Sequence, residues 1–182
     1  LSVGILPYPI TFLVTDIISE IYGREKANRV VMVGFISSIF IMGVVMVGDM
    51  VSATHWSPVD DSVFHRVFGL FGPAVFASMT AYITAQFIDI RIFHFWKQIT
   101  NNRHLWLRNN GSTIFSQLID TLSVLFLLCS LGVIDWIRFY PLLLNGFLFK
   151  VFVALIDTPF FYLFSHLLRK FFGLKLGEEL EI

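Results

Sequence analysis

The chain has 182 residues, of which 56% are hydrophobic and only 14% charged, with a mean hydropathy of +0.76. A soluble domain usually carries about a quarter charged residues, and a core of this length cannot hide 21 phenylalanines with the other apolar side chains, so lipid must cover part of the surface. Thirteen Lys and Arg balance thirteen Asp and Glu, which excludes a global field for nucleic acid, and the lone Cys129 excludes an intrachain disulfide and reads as a packing residue.

A bilayer span needs ~20 mostly apolar residues. In chain order such stretches cover residues 3–22, 30–50, 68–88, 111–133 and 141–168. They predict an all-α membrane protein, a polytopic helical bundle forming a single transmembrane domain over 1–182. The chain opens at Leu1, already inside an apolar run and without a basic leader. One further helix is therefore expected before it, for six in all.

Basic residues set the expected orientation. Arg24, Lys26 and Arg29 follow the first span, Arg91, Lys97, Arg103 and Arg108 the third, and Arg169, Lys170 and Lys175 the last. The other two loops hold only Arg66 and Arg138. The positive-inside rule places the basic loops and the C-terminus in the cytoplasm.

Small residues let helices approach closely in lipid. Ala74, Ala77, Ser78, Ala81 and Ala85 form such a stripe on the third span, suited to a helix contact or a homo-oligomer. Pro7, Pro9, Pro141 and Pro159 are expected to kink their helices and free backbone groups for partners in a cavity.

The functional signal lies in polar groups within the spans: Asp16, Glu20, Gln86, Asp89, Gln117, Asp120, Asn145, Lys150 and Asp157. A charge at a helix centre costs about 2.5–3.5 kcal/mol or more on insertion scales, so such groups face a cavity or each other. Asp16 and Glu20 are four apart and share a face. Gln86 and Asp89 are three apart, as are Gln117 and Asp120, in the near repeat Ala85-Gln86-Phe87-Ile88-Asp89 and Ser116-Gln117-Leu118-Ile119-Asp120. At ~1.5 Å per residue, Asp120 and Lys150 reach comparable depth near mid-membrane, roughly 14 Å from the ends of their spans. They are expected to pair. Glu20 and Asp89 approach one interface, where helix-bridging bonds or snorkelling compete with a ligand site.

No catalytic residue, metal or cofactor is expected. The five His occupy loops or helix ends, no two of them four apart on a helix, and no Gly-x-Ser-x-Gly elbow occurs. An intramembrane hydrolase built on two aspartates is an alternative, but a Gln three residues before each aspartate suits amide recognition better than water activation.

The run Tyr8-Pro9-Ile10-Thr11-Phe12-Leu13-Val14-Thr15-Asp16-Ile17-Ile18-Ser19-Glu20-Ile21-Tyr22-Gly23 resembles the signature of the queuosine precursor transporters, or vitamin uptake transporter family. So do Leu105-Trp106-Leu107-Arg108-Asn109-Asn110-Gly111-Ser112-Thr113, Ser116-Gln117-Leu118-Ile119-Asp120-Thr121, the Gln86/Asp89 pair, and Phe149-Lys150. The resemblance implies a six-helix protein of the bacterial inner membrane. It would import 7-cyano- or 7-aminomethyl-7-deazaguanine for queuosine in tRNA. It also implies a distant likeness to the substrate-binding S components of energy-coupling-factor transporters, but with solitary operation; a binding subunit that needs an ATPase partner is the alternative.

Such a substrate fits the polar groups. A deazaguanine edge offers two donors, N1–H and the 2-amino group, beside the O6 acceptor. A carboxylate can take both donors, and a Gln amide can donate to O6. Asp120 or Asp16 suits the first role and Gln117 or Gln86 the second. Phe115, Phe87 or Tyr82 would stack on the base, while Asn145 and Lys150 close the site or hold the acids ionised.

Overall fold

The computed structural model describes residues 8–68, 72–175 and 177–180. Helix α1 (Tyr8–Met50) is followed by a short α2 (Asp61–Phe68), then α3 (Gly72–Ile99), α4 (Leu105–Ser130) and α5 (Phe139–Phe172). The described residues contain no strand. Three stretches among them, Ile10–Met50, Leu105–Ser130 and Trp136–Phe172, are long and apolar enough to cross a bilayer. The fold is an all-α membrane bundle. Residues 3–7 of the first expected span, and the side chains of Pro9 and Ala74, lie outside what is described.

α1 is two legs rather than one rod. Gly23 breaks it at φ 80°, ψ 175°, a backbone region that is essentially glycine-only. The first leg therefore ends at Tyr22, and the chain turns back into a second leg, as the two sequence spans require. At the far end, Asp60 caps α2 by accepting from the Val63 amide at 2.9 Å and from the Ser62 hydroxyl at 2.7 Å. These two donors hold the Asp60 carboxyl below its ordinary range.

Two boundaries differ from the sequence expectation. α3 continues past residue 88 to Ile99, and α4 begins at Leu105 rather than at residue 111. The turn between them is tight, with Asn101, Asn102 and His104 all at positive φ, a conformation that Asn tolerates better than most residues. Arg108, Asn109 and Asn110 are thus helical, and Lys97 belongs to α3 rather than to a loop.

Burial is inverted relative to a soluble domain. Among the described residues 20 polar or charged side chains are buried against 13 hydrophobic ones, whereas Phe40, Phe76, Phe126, Phe152 and Phe171 are more than half exposed. Lipid rather than water is the solvent that makes such an exterior stable. The apolar core is small: Ala27, Val31 and Ile90, with Ile18, Ile83 and Phe87 packed around them, join both legs of α1 to α3. Ala77, Ala81 and Ala85 are buried within the chain's own bundle, while Ser78 is exposed. The small-residue stripe is occupied by packing between helices of one chain.

Candidate functional site

α4 builds the interior. From Arg108 to Thr121 its buried residues are Arg108, Asn109, Asn110, Ser112, Thr113, Ser116, Gln117, Asp120 and Thr121, all polar and mostly repeating at four-residue steps, about one helical turn each; Leu125 and Cys129 continue the face beyond them. In lipid such a face requires partners on the neighbouring helices. The first leg of α1, α3 and α5 supply them in three successive layers.

The first layer lies at the end of the bundle marked by Gly23. Arg108 Nη2 donates to Glu20 Oε1 at 2.5 Å, and Arg169 Nη2 donates to the same oxygen. Neither the Glu20 nor the Arg108 side chain is exposed at all. The Arg108 guanidinium also stands 5.9 Å from the centre of the Phe93 ring, a cation–π separation. The chain beyond α5 straps this end. The Leu180 amide donates to the Ile21 carbonyl at 2.7 Å, and Lys97 Nζ pairs with Glu179 at 2.7 Å. Arg169 Nη1 donates to the Lys175 carbonyl.

One turn deeper, the buried carboxyl groups of Asp16 and Asp89 stand beside each other. α4 holds both. The Thr113 hydroxyl donates to Asp16 Oδ2 at 3.1 Å, and the Ser116 hydroxyl to Asp89 Oδ1 at 2.8 Å. Gln86, fully buried on α3, stands beside the Tyr82 hydroxyl.

In the third layer Lys150 Nζ of α5 pairs with Asp120 Oδ2 of α4. Between this layer and the second lies a cavity lined by Phe12, Asp16, Asn109, Thr113, Gln117 and Lys150, with Leu13, Ala154 and Asp157 at its margin. Gln117 Oε1 and Asn109 Oδ1 are buried and have no hydrogen-bond partner. The free space at the centre is about 10 Å³, roughly what one water molecule needs. On the α5 side, Asn110 Nδ2 donates to the Thr158 hydroxyl at 2.9 Å, which itself lies 3.1 Å from the Ala154 carbonyl. This bond ties α4 to the turn that carries Pro159.

The structure thus brings seven of the eight expected site residues into one polar column: Asp16, Glu20, Gln86, Asp89, Gln117, Asp120 and Lys150. Asn145 does not join them, being exposed on α5. It lies five residues from Lys150, about 140° around the helix, so the two cannot share a face. Phe115 is 50% exposed and Phe87 packs against Ala27, Val31 and Ile90. The aromatic ring at the cavity is Phe12. Arg108 and Arg169, counted in the sequence among the basic residues that follow the spans, are structural counter-ions of Glu20. The signal for Arg108 was present: it begins the four-residue row Arg108, Ser112, Ser116, Asp120.

Comparison with known proteins bears on this arrangement. No solved structure matches the chain. A curated protein of Bacillus subtilis (strain 168) named "Probable queuosine precursor transporter" is 30% identical over 162 residues, covering 88% of this chain and 70% of that protein. The "Queuosine precursor transporter" of Escherichia coli (strain K12) is 28% identical over 125 residues, 68% of this chain and 53% of that protein. A "Probable queuosine precursor transporter" of Haemophilus influenzae is 27% identical over 118 residues, 65% of this chain and 47% of that protein. The chain thus spans 70% of the first relative and about half of the other two. The family model described as "Putative vitamin uptake transporter" matches residues 2–164, a stretch that contains every helix layer of the polar column except Arg169. The chain belongs to the vitamin uptake transporter family.

Proposed function

We propose that this chain carries queuosine precursors, the 7-deazaguanines, across the bacterial cytoplasmic membrane, without catalysing a reaction on them. The observation that carries the reading is the cavity between Asp16 and Lys150, where two buried amide oxygens, on Gln117 and Asn109, have no partner. Each such orphan costs about 1–3 kcal/mol, a penalty that a polar ligand would remove. The names of the relatives supply the ligand class.

In this site the Asp16 carboxylate accepts from N1–H and the 2-amino group, and the Gln117 amide donates to O6. Phe12 stacks on the base. Lys150 pairs with Asp120 and closes the far wall. A base is far larger than one water, so Phe12 on α1 and Ala154 on α5 must move apart to admit it. This motion is the transport step.

Orientation follows from charge. With Lys97, Arg108 and Arg169 withdrawn into the bundle, seven basic residues (Arg24, Lys26, Arg29, Arg91, Arg103, Lys170 and Lys175) still flank one end, against Arg66 and Arg138 at the other. The Gly23 end and the C-terminus then face the cytoplasm.

The test is expression in a bacterium unable to make 7-deazaguanines, fed either precursor, with queuosine in tRNA as the readout. Queuosine should reappear with the native chain and fall sharply with Gln117→Ala. No rescue by well-expressed native protein sinks the reading. Rescue only alongside ATP-binding subunits makes the chain a binding subunit.

A further inference from the structure

Among the described residues six acidic side chains lie in or beside the polar column: Asp16 and Glu20 on α1, Asp89 on α3, Asp120 on α4, the half-buried Asp157 on α5, and the exposed Glu179 on the strap. Three have a cation of their own. Glu20 has Arg108 and Arg169, Asp120 has Lys150, and Glu179 has Lys97. Asp157 lies at the cavity margin and is half-buried.

Asp16 and Asp89 are different. They are 1% and 0% exposed and stand beside each other. Thr113 holds one oxygen of the first and Ser116 one oxygen of the second. The remaining oxygens, Asp16 Oδ1 and Asp89 Oδ2, are buried, and the Ser112 hydroxyl also stands beside Asp89. The groups around them are accounted for on every element. On α1, Glu20 lies one turn away and is already bound to two arginines. On α3, Tyr82 stands beside Gln86. On α4, Arg108 is engaged with Glu20 and Asp120 with Lys150. On α5, Lys150 and Arg169 are engaged likewise.

Two carboxylates cannot both ionise in contact in a low-dielectric interior, and a hydrogen bond between them requires a proton. Asp16 also lines the cavity, beside the partnerless Gln117 oxygen. A single side chain therefore belongs to both the carboxyl pair and the ligand space.

We infer that Asp16 and Asp89 hold one proton between them and that this proton is the ion coupled to transport. The inference rests on the transport reading above. A base binding through Asp16 draws that carboxylate away from Asp89. In the outward-open state the pair takes its single proton from outside, and when the base binds Asp16 that proton stays on Asp89. In the inward-open state base and proton leave together, and the emptied carrier returns with the two carboxylates apart to take the next proton from outside. Nothing is oxidised or reduced, and one proton crosses per base.

The experiment uses the full chain in liposomes with labelled 7-cyano-7-deazaguanine, a neutral probe, so that any dependence on protons belongs to the protein. With the membrane potential clamped, an acid-outside gradient of one pH unit should drive about tenfold accumulation, the value for one proton per base. Asp89→Asn should only equilibrate the probe. Native protein that equilibrates but never accumulates it overturns the coupling. Complete absence of probe transport by native protein instead defeats the transport reading. The shared proton has its own readout, which needs no ligand. The infrared carbonyl stretch of a protonated carboxyl should be present at neutral pH in native protein and lost in the double variant carrying Asp16→Asn and Asp89→Asn. Its absence from native protein overturns the shared proton, whether or not the double variant folds.

Discussion

Arg108 and Glu20, 88 positions apart in the chain, meet at 2.5 Å with neither side chain exposed. Arg169 joins the same carboxylate from α5, so one acid is shared by two bases and ties three helices at the Gly23 end. The arrangement is asymmetric. Removing either arginine leaves a pair, whereas removing Glu20 leaves two buried cations facing each other. Stripping one partner from a buried pair costs about 3–5 kcal/mol. Glu20→Gln should therefore lower stability in detergent by at least that much, and by clearly more than Arg108→Gln or Arg169→Gln. Thermal unfolding of the three variants checks the order, and equal losses would contradict the shared-acid geometry.

Asp120 and Lys150 form the simpler case, one acid to one base. Asp120→Asn alone strands a buried ammonium, and Lys150→Gln alone strands a carboxylate. The double variant strands neither. It should recover part of the stability lost by each single change, with a coupling of about 0.5–3 kcal/mol in the double-mutant cycle. Simple additivity would mean that the two groups act independently. Queuosine rescue measured on the same set separates the roles, because a purely structural pair recovers uptake together with stability.

This pair was legible in the sequence, because depth along a helix follows from residue count alone. Helices at the five expected spans were legible in their apolar runs, although α3 is not among the stretches long and apolar enough to cross a bilayer. Pairing across helices was not. Spacing placed Asp16 with Glu20 and Gln86 with Asp89, yet the structure joins Asp16 to Asp89 and Glu20 to Arg108 and Arg169. Those partners depend on how separate helices rotate against one another, which no local period encodes. Arg108 was misread because the apolar criterion begins a span where charge stops, whereas this polar row continues through it. Asn145 was an avoidable error, since its angle from Lys150 is fixed by helix geometry.

Gly23 supplies a test of the strap. Its backbone sits where only glycine is comfortable, at a cost of about 1–3 kcal/mol for any other residue, and a methyl there would also collide with the Glu179 carboxylate. Gly23→Ala should therefore destabilise through two separate terms. Glu179→Ala in the same chain should relieve the collision but leave the backbone cost. Unfolding temperatures of the two singles and the double resolve these terms. Glu179→Ala on its own should do little, because that side chain is 43% exposed and a partly solvated ion pair contributes about 0–1 kcal/mol.

The cavity itself is tested by contrasting two aromatic residues. Phe12 lines it and is 1% exposed, whereas Phe115 is half exposed on α4, on the opposite side of that helix from its polar stripe. If a base stacks within the column, Phe12→Leu should weaken binding by about 0.5–1.5 kcal/mol, the value of an aromatic contact beyond its buried area, or roughly two- to tenfold in Kd. Gln117→Ala should cost a similar amount, the net value of one hydrogen bond. Phe115→Leu should leave affinity unchanged, since that ring meets lipid. Equilibrium binding of labelled 7-deazaguanine to the purified variants measures all three. A loss at Phe115 with none at Phe12 would move the site to the outer face of α4. The Asp120–Lys150 pair would then be a structural tie between α4 and α5 rather than a wall of the site.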